Sequence, residues 1–81
     1  MKLYGSVLCP DCVDAFDILK EKNIDYDYVD INESMKTLKE FLKLRDNRDE
    51  FKEVRENSNV GIPCFLFDDG SIIFDVDKIV K

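Results

Sequence analysis

The segment that decides the fold is KLYGSVLCPDC, residues 2–12, in which a short apolar run leads into a Cys-x-x-Cys pair. Residues 2–5 are partly apolar and end at a glycine, which predicts a first strand. Beyond the pair, apolar residues recur at near-helical spacing, and Pro10 suits a first helical turn because its missing N–H has no intrahelical acceptor there. We therefore expect a helix over about residues 10–22 that begins directly at the cysteine pair.

The position of the pair at a helix start has a chemical consequence. The first turn of a helix carries unpaired N–H groups and a partial positive charge, which stabilise a thiolate. We expect Cys9 to be exposed at the helix tip and to attack a substrate disulfide, and Cys12 to lie inward and resolve the mixed disulfide. A Cys-x-x-Cys pair beside a strand–helix–strand pattern thus indicates a thiol:disulfide oxidoreductase.

The middle of the chain predicts one strand and two helices. Residues 24–31 alternate between apolar and acidic side chains, which is typical of a strand with one wetter face. Apolar residues then recur at helical spacing from Asn32 to about Asp46. Residues 47–50, Asn-Arg-Asp-Glu, have the form of a capping box, so a third helix is expected to begin there.

The end of the chain predicts a hairpin followed by a short helix. Residues 64–67 are an apolar strand, Asp-Asp-Gly forms a hairpin turn, and residues 71–74 return as the fourth strand. Either Asp75 or Asp77 is expected to cap a last helix that runs through Val80.

The element order β-α-β-α-α-β-β-α places the chain in the α/β class. The first two strands are joined by a helix and should be parallel through a right-handed crossover, whereas the last two form a hairpin. We expect a four-stranded mixed sheet flanked by helices, in a single domain that spans residues 1–81.

Composition excludes several classes of function. The chain has 12 basic and 18 acidic residues and a net charge of −6, so a nucleic-acid backbone is not an expected partner. It has no histidine, and its three cysteines are too few for a four-thiolate zinc site. No stretch has the pattern of a secretion signal or a membrane span. The expected compartment is the cytoplasm, where thiols are kept reduced.

At this point the chain resembles the glutaredoxin family of the thioredoxin-like superfamily. The match is carried by Cys9-Pro10-Asp11-Cys12 after a strand, by Gly61-Ile62-Pro63 before another strand, and by the spacing between them. The resemblance implies a thioredoxin-like fold and a redox-active centre that reduces protein disulfides or glutathione mixed disulfides. It also implies roles in electron transport and in cell redox homeostasis.

The resemblance assigns roles to individual residues. Cys9 would be the nucleophile and Cys12 the resolving thiol. Pro63 would be a cis-proline that faces the pair, and Ile62 would offer its backbone N–H and C=O to the substrate. Between the cysteines, Pro10 and Asp11 would also contact the substrate. No bound cofactor or metal is implied; glutathione is a co-substrate, and either glutathione or a flavoprotein reductase would supply the electrons.

The glutathione site matches the family less well than the thiols do. The basic residue that usually stands three positions before the first cysteine is Ser6 here, and the usual Gly-Gly after the fourth strand is Ile73-Phe74. The aspartate that holds the glutathione amine has two candidates, Asp77 and Asp75. The chain therefore resembles the family most closely in its thiol chemistry.

Asp11 replaces the tyrosine that usually separates the cysteines. A carboxylate beside Cys9 repels its thiolate and opposes the helix dipole, and Asp14 adds to this more weakly. A less stable thiolate makes the reduced pair less stable, so we expect a strongly reducing protein for this family.

Several alternatives remain open from the sequence. The cysteine pair could be half of a zinc site that takes Cys64 as a third ligand, or hold an iron–sulfur cluster shared across a dimer with glutathione. The chain could instead be a redox-sensing module whose partner reads the state of the pair. Cys64 itself is interpreted as a buried small hydrophobe, with a third redox thiol as the alternative. The charged run from Lys36 to Arg55 is interpreted as a solvated helix face, with residues 44–48 as a partner-contacting corner as the alternative.

Overall fold

The computed structural model describes residues 1–80, which form a four-stranded mixed sheet covered on both faces. The strands are β1 (Lys2–Gly5), β2 (Asp27–Asp30), β3 (Cys64–Leu66) and β4 (Ile72–Ile73), and they lie in the order β2-β1-β3-β4. β2 is parallel to β1, whereas β3 is antiparallel to β1 and β4 is antiparallel to β3. The predicted mixed sheet and its α/β class are confirmed.

Three helices and two short 3₁₀ helices connect and cover the strands. The helices are α1 (Pro10–Glu21), α2 (Met35–Asn47) and α3 (Lys52–Glu56), and the 3₁₀ helices span Asp49–Phe51 and Val76–Lys78. The last of these takes the place of the final helix predicted from the sequence. Within residues 1–80, no helix has both the length and the apolar character needed to cross a membrane.

In the middle of the chain, the start of α2 and the turn after α2 differ from those predicted. Ser34 begins α2: its Oγ accepts the Thr37 N–H at 3.1 Å while its own N–H donates to Thr37 Oγ1 at 3.3 Å. The capping box predicted at residues 47–50 is wrong, because the Asn47 side chain instead donates to the Lys43 carbonyl at 2.7 Å and so closes the end of α2.

Strand bounds are shorter than the apolar patterns suggest. The parallel ladder starts only at Asp27, whose N–H donates to the Met1 carbonyl at 2.9 Å. Ile24 and Tyr26, which the alternation places in the strand, pack against the α1 side of the sheet before pairing begins. Of the two candidate caps near the end, Asp75 is the one used, since its side chain accepts the Asp77 N–H at 2.9 Å.

The hydrophobic core is divided into two parts by the sheet. Successive strand residues point to opposite faces, so β1 and β3 contribute side chains to both parts. α1 covers one face, and α2 with the following 3₁₀ turn covers the other. Besides Cys12 of α1, the fully buried residues are Leu3, Ala15, Leu19 and Phe65 on the α1 face, and Phe41, Phe51 and Cys64 on the α2 face. The Cys64 side chain therefore points away from the helix that carries the cysteine pair.

Candidate active site

Cys9 occupies the N-cap position of α1. Its backbone is extended, with φ −100° and ψ 118°, and Pro10 follows in the first turn of the helix. Ser6 is buried and shapes the loop before it, since its carbonyl accepts the Cys9 N–H and its Oγ accepts the Leu8 N–H, both at 3.1 Å. This loop holds the partly exposed Cys9 sulfur at the positive end of α1.

Cys12 lies one helical turn further and has a different environment. It is fully buried, and burial is the main cause that raises its pKa to about 12. A hydrogen bond from the Ser6 backbone opposes this shift, whereas a hydrogen bond with Cys9 and the charge of Asp11 reinforce it. Cys12 is therefore a protonated thiol near neutral pH, placed directly behind Cys9.

A groove of ≈ 810 Å³ opens in front of Cys9. Its opposite wall is the segment Gly61–Pro63, in which the Ile62–Pro63 peptide bond is cis. The Cys9 sulfur lies 4.0 Å from the Ile62 carbonyl oxygen. The Cys9 sulfur and the backbone edge of Ile62 thus lie side by side in the lining of the groove.

Gly61 allows this wall to approach the core closely. It has a φ of +94°, and an added Cβ would lie 2.9 Å from both a Phe51 ring atom and a Val54 methyl group. Any larger residue would meet both a strained backbone and occupied space. This explains locally why the family's usual threonine is a glycine here.

Arg45, in the charged run, holds the backbone that leads into this wall, and Arg55 holds the backbone at the end of α2. The Arg45 guanidinium donates to the Asn59 carbonyl at 2.6 Å and to the Val60 carbonyl at 3.1 Å. Arg55 donates to the Arg45 and Arg48 carbonyls at 2.6 and 2.9 Å. Arg45 and Arg55 are partly buried and bind backbone carbonyls, so the interpretation of the run as a solvated helix face does not describe these two residues. Sequence patterns could not reveal these contacts, because the acceptors are backbone carbonyls.

The groove collects most of the residues that the sequence singles out. Pro10 and Cys12 are the exceptions: Pro10 is exposed in the first turn of α1, Cys12 is buried behind Cys9, and neither lines the groove. The sequence-predicted residues that line it are Cys9, Asp11, Ile62, Pro63 and Asp77, together with the alternative candidate Asp75.

Phe74 occupies the place where the family has a glycine. Its ring packs edge-on against Phe51, with ring centroids 4.9 Å apart, and it lines the groove. The Phe74 ring therefore lines the groove at a position where the family resemblance implies bare backbone in contact with glutathione.

The structure also bears on the environment of the third cysteine, Cys64, and on the hypothesis of a metal site. Cys64 is fully buried, and its burial raises its pKa to about 12. This is the environment of a small hydrophobic residue. Among residues 1–80, no group of three or more cysteines, aspartates or glutamates is arranged to hold a metal ion.

Comparison with known proteins places the chain in a family. The family model described as Glutaredoxin matches residues 1–72. A protein of Haemophilus influenzae, described as an uncharacterized protein, is 35% identical over 77 residues, which cover 95% of this chain and 90% of that protein. No solved structure matches the chain significantly. With its cysteine pair at a helix start and a family match over most of its length, the chain belongs to the glutaredoxin family.

Proposed function

We propose that the protein is a thiol:disulfide oxidoreductase in which Cys9 is the nucleophile and Cys12 the resolving thiol. The observation that carries this proposal is the contrast between the two sulfurs. Cys9 is partly exposed at the start of α1 and faces the groove, whereas Cys12 is fully buried behind it. Of these two sulfurs, only that of Cys9 is accessible to a substrate disulfide. The sulfur of Cys12 is placed to attack the mixed disulfide and displace the substrate sulfur from Cys9.

The proposed reaction transfers two electrons to the substrate. The Cys9 thiolate attacks one sulfur of the substrate disulfide, forms a mixed disulfide, and releases the other sulfur as a thiolate that takes up a proton. Cys12 then gives up its proton and attacks the Cys9 sulfur. The Cys9–Cys12 disulfide forms, and the second substrate sulfur leaves as a thiol. The substrate gains two electrons from the protein and two protons, of which one replaces the proton that Cys12 gives up and the other comes from solvent, because Cys9 reacts as a thiolate.

The backbone of Ile62 is proposed to align the substrate. Its carbonyl lies beside Cys9, and within residues 1–80 its N–H donates to no other group. A substrate chain in the groove could therefore pair with Ile62 as an added strand, which gives affinity through main-chain hydrogen bonds. That pairing would set a substrate sulfur against the Cys9 sulfur.

The oxidised pair needs a reductant to complete a cycle. We propose that glutathione or a flavoprotein reductase returns two electrons to the pair, in the cytoplasm, and that no cofactor is bound. The metal-binding and redox-sensing alternatives are not favoured by any particular contact among the described residues.

A turnover assay with matched variants tests the proposal. The protein is supplied with a disulfide substrate and either glutathione or a flavoprotein reductase, and thiol release is measured. Cys9→Ser should abolish turnover, because the attacking atom is lost, and Cys12→Ser should abolish reduction of protein disulfides. Cys64→Ser is the control and should leave turnover unchanged. Full activity of Cys9→Ser would overturn the proposal.

A further inference from the structure

We propose that the groove selects a basic polypeptide disulfide, in which lysine or arginine flanks the reacting cysteine, over anionic disulfides such as those of glutathione. This inference rests on the proposed function and names the substrate class of the same site. It is carried by the charge of the groove and by the apolar surface at its rim.

Carboxylates surround the attacking sulfur on two sides. Asp11 and Asp14 belong to α1, and Asp75 and Asp77 belong to the last turn of the chain; all four line the groove with Cys9. No lysine or arginine within the described residues lines it. The ion pairs found among residues 1–80 lie elsewhere, so none of them neutralises these carboxylates.

The charge disfavours an anionic substrate for a simple physical reason. Glutathione carries two carboxylates and one ammonium group, so its disulfides bring further negative charge to a negative groove. A cleft lined by charge of one sign raises the local concentration of ligands of the opposite sign, and with it their association rate. Ser6, at the position where the family usually has a cation, is buried and supplies no compensating charge.

The rim of the groove points to a polypeptide rather than a small molecule. Val60 lines the groove and is 53% exposed, and Val7 and Leu8, in the loop directly before Cys9, are 66% and 79% exposed. These apolar side chains are available to pack against a polypeptide that occupies the groove. Together with the unpaired Ile62 N–H, they fit an extended segment with apolar and basic residues near its cysteine.

The selection acts on the first step of the reaction. The Cys9 thiolate forms a bond to one substrate sulfur as the substrate S–S bond breaks, and the second sulfur leaves with the bonding electron pair. Cations beside the substrate cysteine are drawn toward the groove carboxylates before this step. The effect should therefore appear in the second-order rate constant and should weaken as salt screens the charges.

Two peptides that differ only in charge test the proposal. Each has one intrachain disulfide, flanked by lysine in one peptide and by glutamate in the other, and each is mixed with fully reduced protein. Rates are divided by the rates with dithiothreitol, a neutral dithiol, which removes the intrinsic reactivity of each peptide. The basic peptide should react about tenfold faster at low salt, with the ratio falling at high salt.

Charge variants locate the effect. Asp14→Asn combined with Asp77→Asn should lower the ratio between the two peptides severalfold. Asp25→Asn combined with Glu33→Gln removes the same net charge at exposed positions outside the groove and should leave the ratio unchanged. An equal fall in both double variants would overturn the proposal, since the selectivity would then reflect net charge alone.

The remaining outcomes separate this proposal from the proposed function. Equal rates for the two peptides would overturn the charge selection and leave the oxidoreductase activity standing. Reduction of neither peptide would overturn both. Cystamine, a small cationic disulfide, tests the rim: after the same correction it should react more slowly than the basic peptide, and an equal or faster rate would overturn the assignment to a polypeptide.

Discussion

Cys9 and Cys12 lie within one helical turn of each other, but they differ in exposure and in the charges around them. Cys9 faces a groove of four carboxylates at the start of α1, whereas Cys12 is buried and keeps its proton near neutral pH. The start of α1 carries a partial positive charge, whereas the carboxylates that line the groove are negative, so the two surround the Cys9 sulfur with charges of opposite sign.

Asp11 should make the pair more reducing. Asp11→Asn removes a negative charge beside Cys9, stabilises the reduced form, and should shift the reduction potential by roughly 10–20 mV to less negative values. The potential is measured by equilibration with dithiol buffers and counting of alkylated thiols. Asp25→Asn, at an exposed position outside the groove, is the control. An unchanged or more negative potential in Asp11→Asn would contradict this account.

Gly61 should tolerate substitution less well than Gly70. Both have positive φ, +94° and +88°, but an added Cβ meets Phe51 and Val54 at Gly61 and nothing within 4 Å at Gly70. We expect Gly61→Ala to lower the free energy of unfolding by roughly 2–4 kcal/mol, and Gly70→Ala by about 1 kcal/mol. Urea denaturation of both variants measures this. Equal losses would show that Gly61 is required only for its backbone angles.

At the scale of elements, the β1–α1 unit could be predicted from the sequence because its signals are local. A glycine ends the strand, and Pro10 fixes the start of the helix within one residue of a cysteine. The start of α2 was missed because its capping box pairs Ser34 with Thr37 rather than with glutamate or glutamine. β2 was predicted too long because the alternation of residues 24–31 continues outside the ladder.

The wall of the groove shows what sequence patterns cannot reveal. The family resemblance assigns roles to Ile62 and Pro63, but it does not point to Arg45, which holds the backbone shortly before them. Arg45 donates to backbone carbonyls 14 and 15 residues away. Every residue has a backbone carbonyl, so the identities of the accepting residues do not indicate these contacts. Composition alone therefore predicts a solvated helix face for the charged run.

Arg45 should act as a positioning residue for this wall. Arg45→Gln removes the donors to the Asn59 and Val60 carbonyls, so the following segment, which is proposed to align the substrate, should be less well held. We expect the rate of peptide disulfide reduction to fall severalfold. The rate of Cys9 alkylation by iodoacetamide should stay unchanged, because this small reagent does not pair with the Gly61–Pro63 segment. Lys43→Gln, an exposed change on the same helix, is the control. A parallel fall in both rates would instead indicate general damage to the fold.

At the scale of the whole molecule, two buried thiols link stability to pH. Burial raises the pKa of Cys12 and of Cys64 to about 12, against an ordinary value of 9.0. Below about pH 9 both the folded and the unfolded chain hold these protons. Above it the unfolded chain ionises first, so the free energy of unfolding should fall as pH rises from about 9 to 12.

Cys64→Ala should reduce this alkaline loss of stability. Each thiol that ionises only in the unfolded chain contributes a slope of up to about 1.4 kcal/mol per pH unit, and the variant removes one of them. Urea denaturation of the reduced protein between pH 7 and about pH 11 measures both profiles. We expect the variant's profile to be the flatter one. Parallel profiles would mean that Cys64 is not the protonated buried thiol described here.

The central claim is that Cys9 attacks and Cys12 resolves, and trapping tests it most directly. Reduced Cys12→Ser protein is mixed with a peptide disulfide, quenched with acid, and examined by mass spectrometry after digestion. The account predicts a stable one-to-one mixed disulfide between the peptide and Cys9, and none in the protein that also carries Cys9→Ser. An adduct on Cys64, or no adduct in the Cys12→Ser protein, would contradict it.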